Sequence, residues 1–208
     1  MIFGQVIQTS DFSIQINQKS VLSLLGYKHG KTRLSETAGK VLESAFNKAE
    51  SLIHPNGVYR VEKIKDKSNG IITFSSPALI FKGKSISRLL SSSFAAVLTA
   101  VTIGPELEEA SAEKTQSGQL EQALAFDVIG SEAVEAAAES LNFYLISLAR
   151  QEKLFLTKRY SPGYGDFALK NQMQFFDILS LSDLGISIDD NYMLTPRKTI
   201  TAVLGVNQ

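Results

Sequence analysis

The sequence predicts an α+β protein, in which helices and strands are mixed without the regular alternation that a parallel sheet requires. Residues 34–53 carry apolar side chains at the 3.6-residue spacing of an amphipathic helix. Residues 94–103 form a continuous apolar and β-branched run, which is typical of a buried central strand. Because the 208 residues show no internal repeat and no linker, we expect one domain spanning residues 1–208.

The remaining elements follow from hydrophobic spacing and from the turn residues that separate them. Further strands are predicted at residues 11–17, 58–64, 71–74, 78–81, 155–160 and 199–206. Further helices are predicted at residues 21–25, 86–90, 119–151 and 169–179, and another begins at Gly104-Pro105 and ends near Ser117. Proline and the acids that follow it suit the start of that helix, since acids favour the positive end of the helix dipole.

The composition excludes several classes of function. Twenty-one basic residues balance 21 acidic ones, whereas a general nucleic-acid binder needs surplus positive charge. The absence of cysteine excludes disulfides, iron–sulfur clusters and thiolate zinc sites. We find no secretory leader and no apolar run of membrane-spanning length, so we expect a cytoplasmic protein without a membrane partner. Only His29 and His54 offer an imidazole; we predict no catalytic residue and no metal site, and a hydrolase using His54 is an alternative.

The long predicted helix carries polar side chains on a partly apolar stripe. Asp127, Ser131 and Glu135 follow one another at spacings of four residues and therefore share one side of the helix. A carboxylate on an apolar side must be paired or bind something, because burying a bare charge is costly. The stripe therefore indicates either structural salt bridges or a ligand contact.

The loop at residues 159–166, RYSPGYGD, combines an arginine, two glycines and two tyrosines. Arg159 can hold a carboxylate through two parallel hydrogen bonds, and the glycines allow a close backbone approach or a positive φ. Tyr160 and Tyr164 offer flat apolar faces for a ring. The same pattern also fits a tight turn with Asp166 capping a helix.

Two further segments allow a functional and a structural interpretation. Residues 189–199 begin with paired acids, but the further ligands of a calcium loop are missing, so a turn before a strand is favoured. Arg197 and Lys198 of this segment could face an anion, a partner or water. Residues 100–107 run from a strand into a helix through Gly104-Pro105, which indicates an anion site at the helix start or a plain corner.

Four segments in this order resemble the activation domain of cobalamin-dependent methionine synthase, in its free-standing form. They are AVTIGPELEE at residues 100–109, AFDVIGSEAVE at 125–135, RYSPGYGDF at 159–167 and MLTPRKTITAVLGV at 193–206. The resemblance implies a C-shaped α+β domain with a bent antiparallel sheet flanked by helices. The Arg-x-x-x-Gly-Tyr motif, which binds S-adenosylmethionine in that family, is here Arg159, Gly163 and Tyr164.

The resemblance also implies a set of ligand contacts. Arg159 would hold the carboxylate of S-adenosylmethionine, the backbone from Ser161 to Gly163 would contact the adenosyl part, and Tyr164 would close the site. Glu135 would meet the charged amino-acid end of the ligand. The family supplies another acid from an early segment, where this chain has only Asp11. After Gly-Tyr the large enzyme has Pro-Ala, and this chain has Gly165 and Asp166.

The function implied by the resemblance is the reductive reactivation of a cobalamin-dependent methyltransferase, with methionine synthase as the leading expectation. The cobalamin would be held by a partner chain, and a flavodoxin-like or other donor would supply the electron. The alternative is a docking or scaffold subunit of a corrinoid protein that no longer binds S-adenosylmethionine. Either way the chain would be a component of a methyltransferase system rather than a self-sufficient enzyme.

Overall fold

The computed structural model describes residues 2–10, 14–28 and 31–208, which form a curled antiparallel sheet with flanking helices. The predicted fold class is thus confirmed. The strands of the main sheet are β1 (Val6–Thr9), β2 (Asn56–Ser68), β3 (Ile71–Phe74), β4 (Ile80–Lys82), β5 (Ala95–Thr102), β6 (Phe155–Leu156) and β9 (Thr199–Asn207), and a separate pair is β7 (Ser187–Ile188) and β8 (Leu194–Thr195). The helices are α1 (Gln18–Leu24), α2 (Glu36–Glu50), α3 (Lys84–Leu89), α4 (Glu106–Gln116), α5 (Leu120–Gln151) and α6 (Gln172–Ile178).

The main sheet has the strand order β4-β3-β2-β5-β9-β6, and β1 also pairs with β2. Strand β5 lies between β2 and β9, and all eight of its residues are buried. This confirms the predicted central strand at residues 94–103. A strand buried on both faces shows a continuous apolar run, because neither face needs polar side chains for water.

Strand β2 is long enough to serve two parts of the sheet. Its first part pairs with β1 and β5, and its last residues pair with β3. The register shifts between Ile64 and Asp66, so that the residue between them on β2 has no paired residue on β3. Such a bulge bends the strand and increases its twist, which is consistent with the curl of the sheet.

Two hydrophobic cores lie on opposite faces of the sheet, and β5 contributes to both by alternation of its side chains. Ala95, Val97 and Val101 join the core formed with α1, α2, α4 and α5. Ala96 and Leu98 join the other core, which contains the buried rings Phe74, Phe81, Phe167 and Phe175.

The 32-residue helix α5 is the longest element and forms one wall of the first core through residues such as Ile129, Ala133, Ala137 and Leu141. Its polar edge passes the start of β9, and this places the carboxylates of the predicted stripe beside the sheet. Among the helices of the described part, none has the length and apolar character needed to cross a membrane.

Two predicted strands need correction. The strand predicted at residues 11–17 is wrong for residues 14–17, which form no strand, and residues 11–13 lie outside the described ranges. The first strand is instead β1, whose side chains are half-exposed or exposed and whose position is fixed by pairing with β2. The strand predicted at residues 155–160 is shorter, since β6 ends at Leu156 and a single bridge joins Tyr160 to Val203.

Candidate functional site

A groove of about 320 Å³ lies between helix α5, the loop at residues 161–164 and the end of the chain around β8 and β9. This volume is within the range of small-molecule sites. Its lining combines apolar and polar side chains, namely Glu135, Ser161, Pro162, Tyr164, Leu169, Gln172, Tyr192, Met193, Leu194, Arg197, Lys198, Thr199, Ile200 and Thr201. The structure thus brings Glu135, Ser161 and Tyr164 of the predicted site together on one surface.

Arg159 and Glu135 form an ion pair at the edge of this groove. The Nη2 atom of Arg159 lies 3.3 Å from Oε2 of Glu135 and 3.9 Å from Oε2 of Glu139, one turn further along α5. The two carboxylate side chains are each more than half exposed, whereas that of Arg159 is only 24% exposed. Solvent screens such a pair, so its effect on stability is small, but it fixes the position of the guanidinium.

The side chain of Arg159 reaches this position from a narrow cleft between α5 and the sheet. The cleft measures only about 10 Å³ and is lined by residues such as Leu141, Asn142 and Ala202. This is at the limit for a single water molecule, so the stem of Arg159 is packed. Only Nη2 has a described partner, and the other N–H donors of the guanidinium have none among the described residues.

The other half of the polar stripe on α5 is a structural salt bridge. Nζ of Lys198 lies 2.7 Å from Oδ1 of Asp127 and donates to Oγ of Ser131 at 2.9 Å. The lysine side chain is 13% exposed. These contacts tie the start of β9 to α5. Glu135 is therefore the member of the stripe that lines the groove.

The loop at residues 161–164 is closed by its own backbone hydrogen bonds. The N–H of Gly163 donates to the carbonyl of Phe167 at 2.7 Å, and the N–H of Tyr164 donates to Ser161 at 3.4 Å. Gly163 has a φ of +91°, a conformation that glycine adopts without strain. Tyr164 is 66% exposed and lines the groove, so its ring stands at the rim, with its centroid 6.4 Å from that of Tyr160.

Tyr160 has a structural role, contrary to the prediction that its ring could receive a ligand. It does not line the groove, and its ring stacks on Phe167 with a centroid distance of 6.1 Å. Its hydroxyl donates to the carbonyl of Tyr164 at 2.9 Å. The tyrosine thereby supports the loop from behind.

Asp166 caps a helix, as the structural interpretation of the loop predicted, but the helix is α3 and lies more than 80 residues earlier. Its carboxylate accepts hydrogen bonds from the backbone N–H groups of Lys84 and Ser85. These bonds, first that from Ser85, lower the pKa of Asp166 below its ordinary value. Asp166, which stands where the large enzyme of the resembled family has the alanine of Pro-Ala, therefore attaches the loop to α3.

The floor of the groove contains two polar residues that the sequence prediction missed. Gln172 and Thr201 are 7% and 4% exposed, and the threonine hydroxyl donates to Oε1 of the glutamine at 3.0 Å. A polar residue at an inward position of an apolar strand is the signal that could have identified Thr201. Gln172 has no comparable local signal, because its position depends on how α6 packs beneath the groove.

The remaining candidates do not contribute to this groove. Asp189 accepts hydrogen bonds from the N–H groups of Asn191 and Met193 and so forms the predicted turn. At the start of α4, the carboxylate of Glu106 occupies the space that a side chain at Gly104 would need, which makes this a plain corner.

His54 is exposed and lies outside the groove lining, while His29 and Asp11 lie outside the described residues. Within those residues, no group of three His, Asp or Glu could hold a metal ion.

Other hollows are of similar or larger size but lack this combination of groups. One of about 440 Å³ lies between residues 14–18 and α2, and among the described residues that line it a single one, Glu50, is charged. Another of about 390 Å³ lies between α2, α4 and α5 and is lined by Lys48, Glu113 and Lys114 but by none of the predicted site residues. Binding sites are recognised by convergent polar groups on an apolar surface rather than by volume alone, and this favours the groove beside Glu135.

Comparison with known proteins supports the fold. No profile of a known protein family matches the sequence, and no curated protein matches it significantly. Among solved structures, the crystal structure of the MetH reactivation domain bound to AdoHcy matches with a TM-score of 0.70. The match covers 97% of this chain and 77% of that chain, at 13% sequence identity. At this identity the likeness establishes the fold, and it confirms the resemblance that the four sequence segments indicated at the level of architecture.

Proposed function

We propose that this chain binds S-adenosylmethionine in the groove beside Glu135. In this proposal it assists the reductive reactivation of a cobalamin-dependent methyltransferase, with methionine synthase as the leading candidate. The observation that carries this proposal is that Glu135, Ser161 and Tyr164 line one groove and that Arg159 pairs with Glu135 at its edge. They do so within the fold of a reactivation domain whose solved structure holds AdoHcy, the demethylated form of the proposed ligand.

In this proposal each residue has a distinct task. The free N–H donors of Arg159 bind the ligand carboxylate, and the carboxylate of Glu135 attracts the ammonium or sulfonium charge. The backbone from Ser161 to Gly163 borders the adenosyl part, and the ring of Tyr164 covers it. S-adenosylmethionine supplies a methyl group for cobalt, and cobalamin belongs to the partner chain. This chain contributes binding and orientation. A flavodoxin-like or other donor supplies the electron.

Replacing Arg159 tests this assignment. We expect Arg159→Ala to lower the affinity for S-adenosylmethionine by roughly tenfold or more, because a charge-assisted hydrogen bond contributes about 1.5–3 kcal/mol. Isothermal titration calorimetry measures the affinity, and circular dichroism checks that the fold is retained. Arg150→Ala is the matched control, since Arg150 is exposed in the last turn of α5, about 22 Å along the helix from Glu135. Equal affinities of wild type and Arg159→Ala would contradict the assignment.

A second candidate function is a docking or scaffold subunit of a corrinoid protein that no longer binds the small ligand. The observation favouring it is that Arg159 already faces two carboxylates and that the N–H of Gly163 is used within the loop. A thermal shift assay separates the two candidates. Ligand at 100 times its dissociation constant adds about 2.7 kcal/mol, or about 5–11 °C for a chain of this size. No shift, together with retained binding to a cobalamin-carrying chain, would favour the second candidate.

A further inference from the structure

Three cationic side chains stand at the groove, and two of them are already neutralised. Arg159 faces Glu135 and Glu139, and Lys198 pairs with Asp127. Arg197 also lines the groove, and its side chain has no ion pair or hydrogen bond with any described residue. Arg197 is therefore the cation at this groove whose side chain has no ion-pair partner among the described residues.

The backbone of Arg197 is held in place although its side chain is free. Its N–H donates to Oε2 of Glu108, on α4, at 2.7 Å. The next residue, Lys198, is tied to α5 through Asp127 and Ser131. A guanidinium on an anchored backbone loses less entropy when it binds a ligand than one on a loose loop. It also presents a planar set of donors that matches a carboxylate.

The floor of the groove adds donors on the same surface. Oε1 of the buried Gln172 accepts the hydroxyl of Thr201. The amide nitrogen of Gln172 donates to no described residue and keeps some accessible surface beside the groove. This amide can therefore donate to an acceptor atom of a ligand in the groove.

We propose that Arg197 binds the carboxylate of the ligand's amino-acid tail together with Arg159, and that the tail lies across the groove with its ammonium toward Glu135. This inference rests on the proposed function and adds Arg197 to it as a second residue that recognises the amino-acid chain of the ligand. Charge complementarity supports it, since Arg197 is free and cationic while Glu135 is a half-exposed carboxylate on the same groove.

The test uses two ligands that differ in the tail. S-adenosylhomocysteine carries the zwitterionic chain, and 5′-methylthioadenosine lacks it. We expect Arg197→Gln to weaken S-adenosylhomocysteine binding by roughly tenfold or more and to leave the affinity for 5′-methylthioadenosine within about twofold of wild type. Arg150→Gln, which removes the same charge from an exposed position remote from the groove, should change neither affinity.

The outcomes separate this inference from the proposed function. If Arg159→Ala weakens S-adenosylhomocysteine binding and Arg197→Gln does not, the role of Arg197 is overturned and the proposed function stands. If Arg197→Gln weakens both ligands equally, Arg197 does not recognise the tail and the inference is also overturned. If the wild-type chain binds neither ligand, both the inference and the proposed function fail.

Discussion

At the scale of single residues, the sequence predicts chemical types better than it predicts their partners. The Arg-x-x-x-Gly-Tyr pattern indicates a cation, a positive-φ glycine and an aromatic ring, and the structure has all three at one loop. Whether the charge of Arg159 is free depends on Glu135, 24 residues earlier on α5. That pairing follows from how the helix passes the sheet, and no local pattern encodes it.

Gly165 illustrates a residue whose importance comes from a close contact. It has a φ of +55°, and a β-carbon there would lie 2.7 Å from the hydroxyl of Tyr160. We expect Gly165→Ala to destabilise the fold by about 1–2 kcal/mol through the left-handed backbone conformation. A further 1 kcal/mol or so would follow from displacing the hydrogen bond of Tyr160 to Tyr164. Urea unfolding measures the loss.

Gly185 provides the matched control for this substitution. It has a φ of +71°, and nothing lies within 4 Å of the β-carbon position, so Gly185→Ala isolates the backbone effect. In a Tyr160→Phe background, the loss caused by Gly165→Ala should fall toward that of Gly185→Ala, because the hydroxyl is gone and the remaining close contact is with Oγ of Ser85 at 3.2 Å. Equal losses for both glycines in the wild-type background would show that the contact with Tyr160 has no energetic effect.

At the scale of elements, hydrophobic spacing predicts which helices and strands form, and long-range contacts determine where some of them begin. Helices α2 and α5 and strands β3 and β5 lie where their patterns place them. Strand β1 was missed because it is half-exposed and acquires its register from β2. The start of α3 likewise depends on Asp166, which is distant in sequence.

The cap of α3 makes a prediction about pH. Because hydrogen bonds from Ser85 and Lys84 lower the pKa of Asp166 below 3.8, its ionised form stabilises the folded chain. This stabilisation is fully present above the ordinary pKa of 3.8 and is lost as the pH falls through the lower, folded pKa. Asp166→Asn should therefore lower the Tm near neutral pH, and its Tm should approach that of the wild type as the pH falls below about 4. Thermal unfolding followed by circular dichroism measures both.

Asp183→Asn is a suitable control for this pH series, because Asp183 is an exposed acid in a short turn and accepts no described side-chain hydrogen bond. It should leave the Tm difference from wild type nearly constant with pH. A Tm difference for Asp166→Asn that is the same near pH 7 and near pH 3 would show that the charge of Asp166 does not act through the cap.

At the scale of the whole molecule, the main sheet separates two hydrophobic cores and contributes side chains to both. The unbroken apolar run at residues 94–103 predicts a strand buried on both faces, and the structure confirms it. The strand order could not be derived from local patterns, since β9 returns from the end of the chain to pair with β5. The resemblance implied a bent antiparallel sheet but no strand order. The groove lies where this return brings β9 beside α5.

A shared sheet predicts that both cores unfold together. Ile72 and Ile129 are fully buried, one in each core, and each Ile→Val substitution removes one methylene at a loss of about 0.5–1.5 kcal/mol. Because β5 contributes to both cores, we expect each variant to lower the Tm of one common transition, and the double variant to lower it additively. Differential scanning calorimetry measures this through equal calorimetric and van't Hoff enthalpies. Two transitions, each shifted by only one of the variants, would mean that the chain comprises two independently folding units.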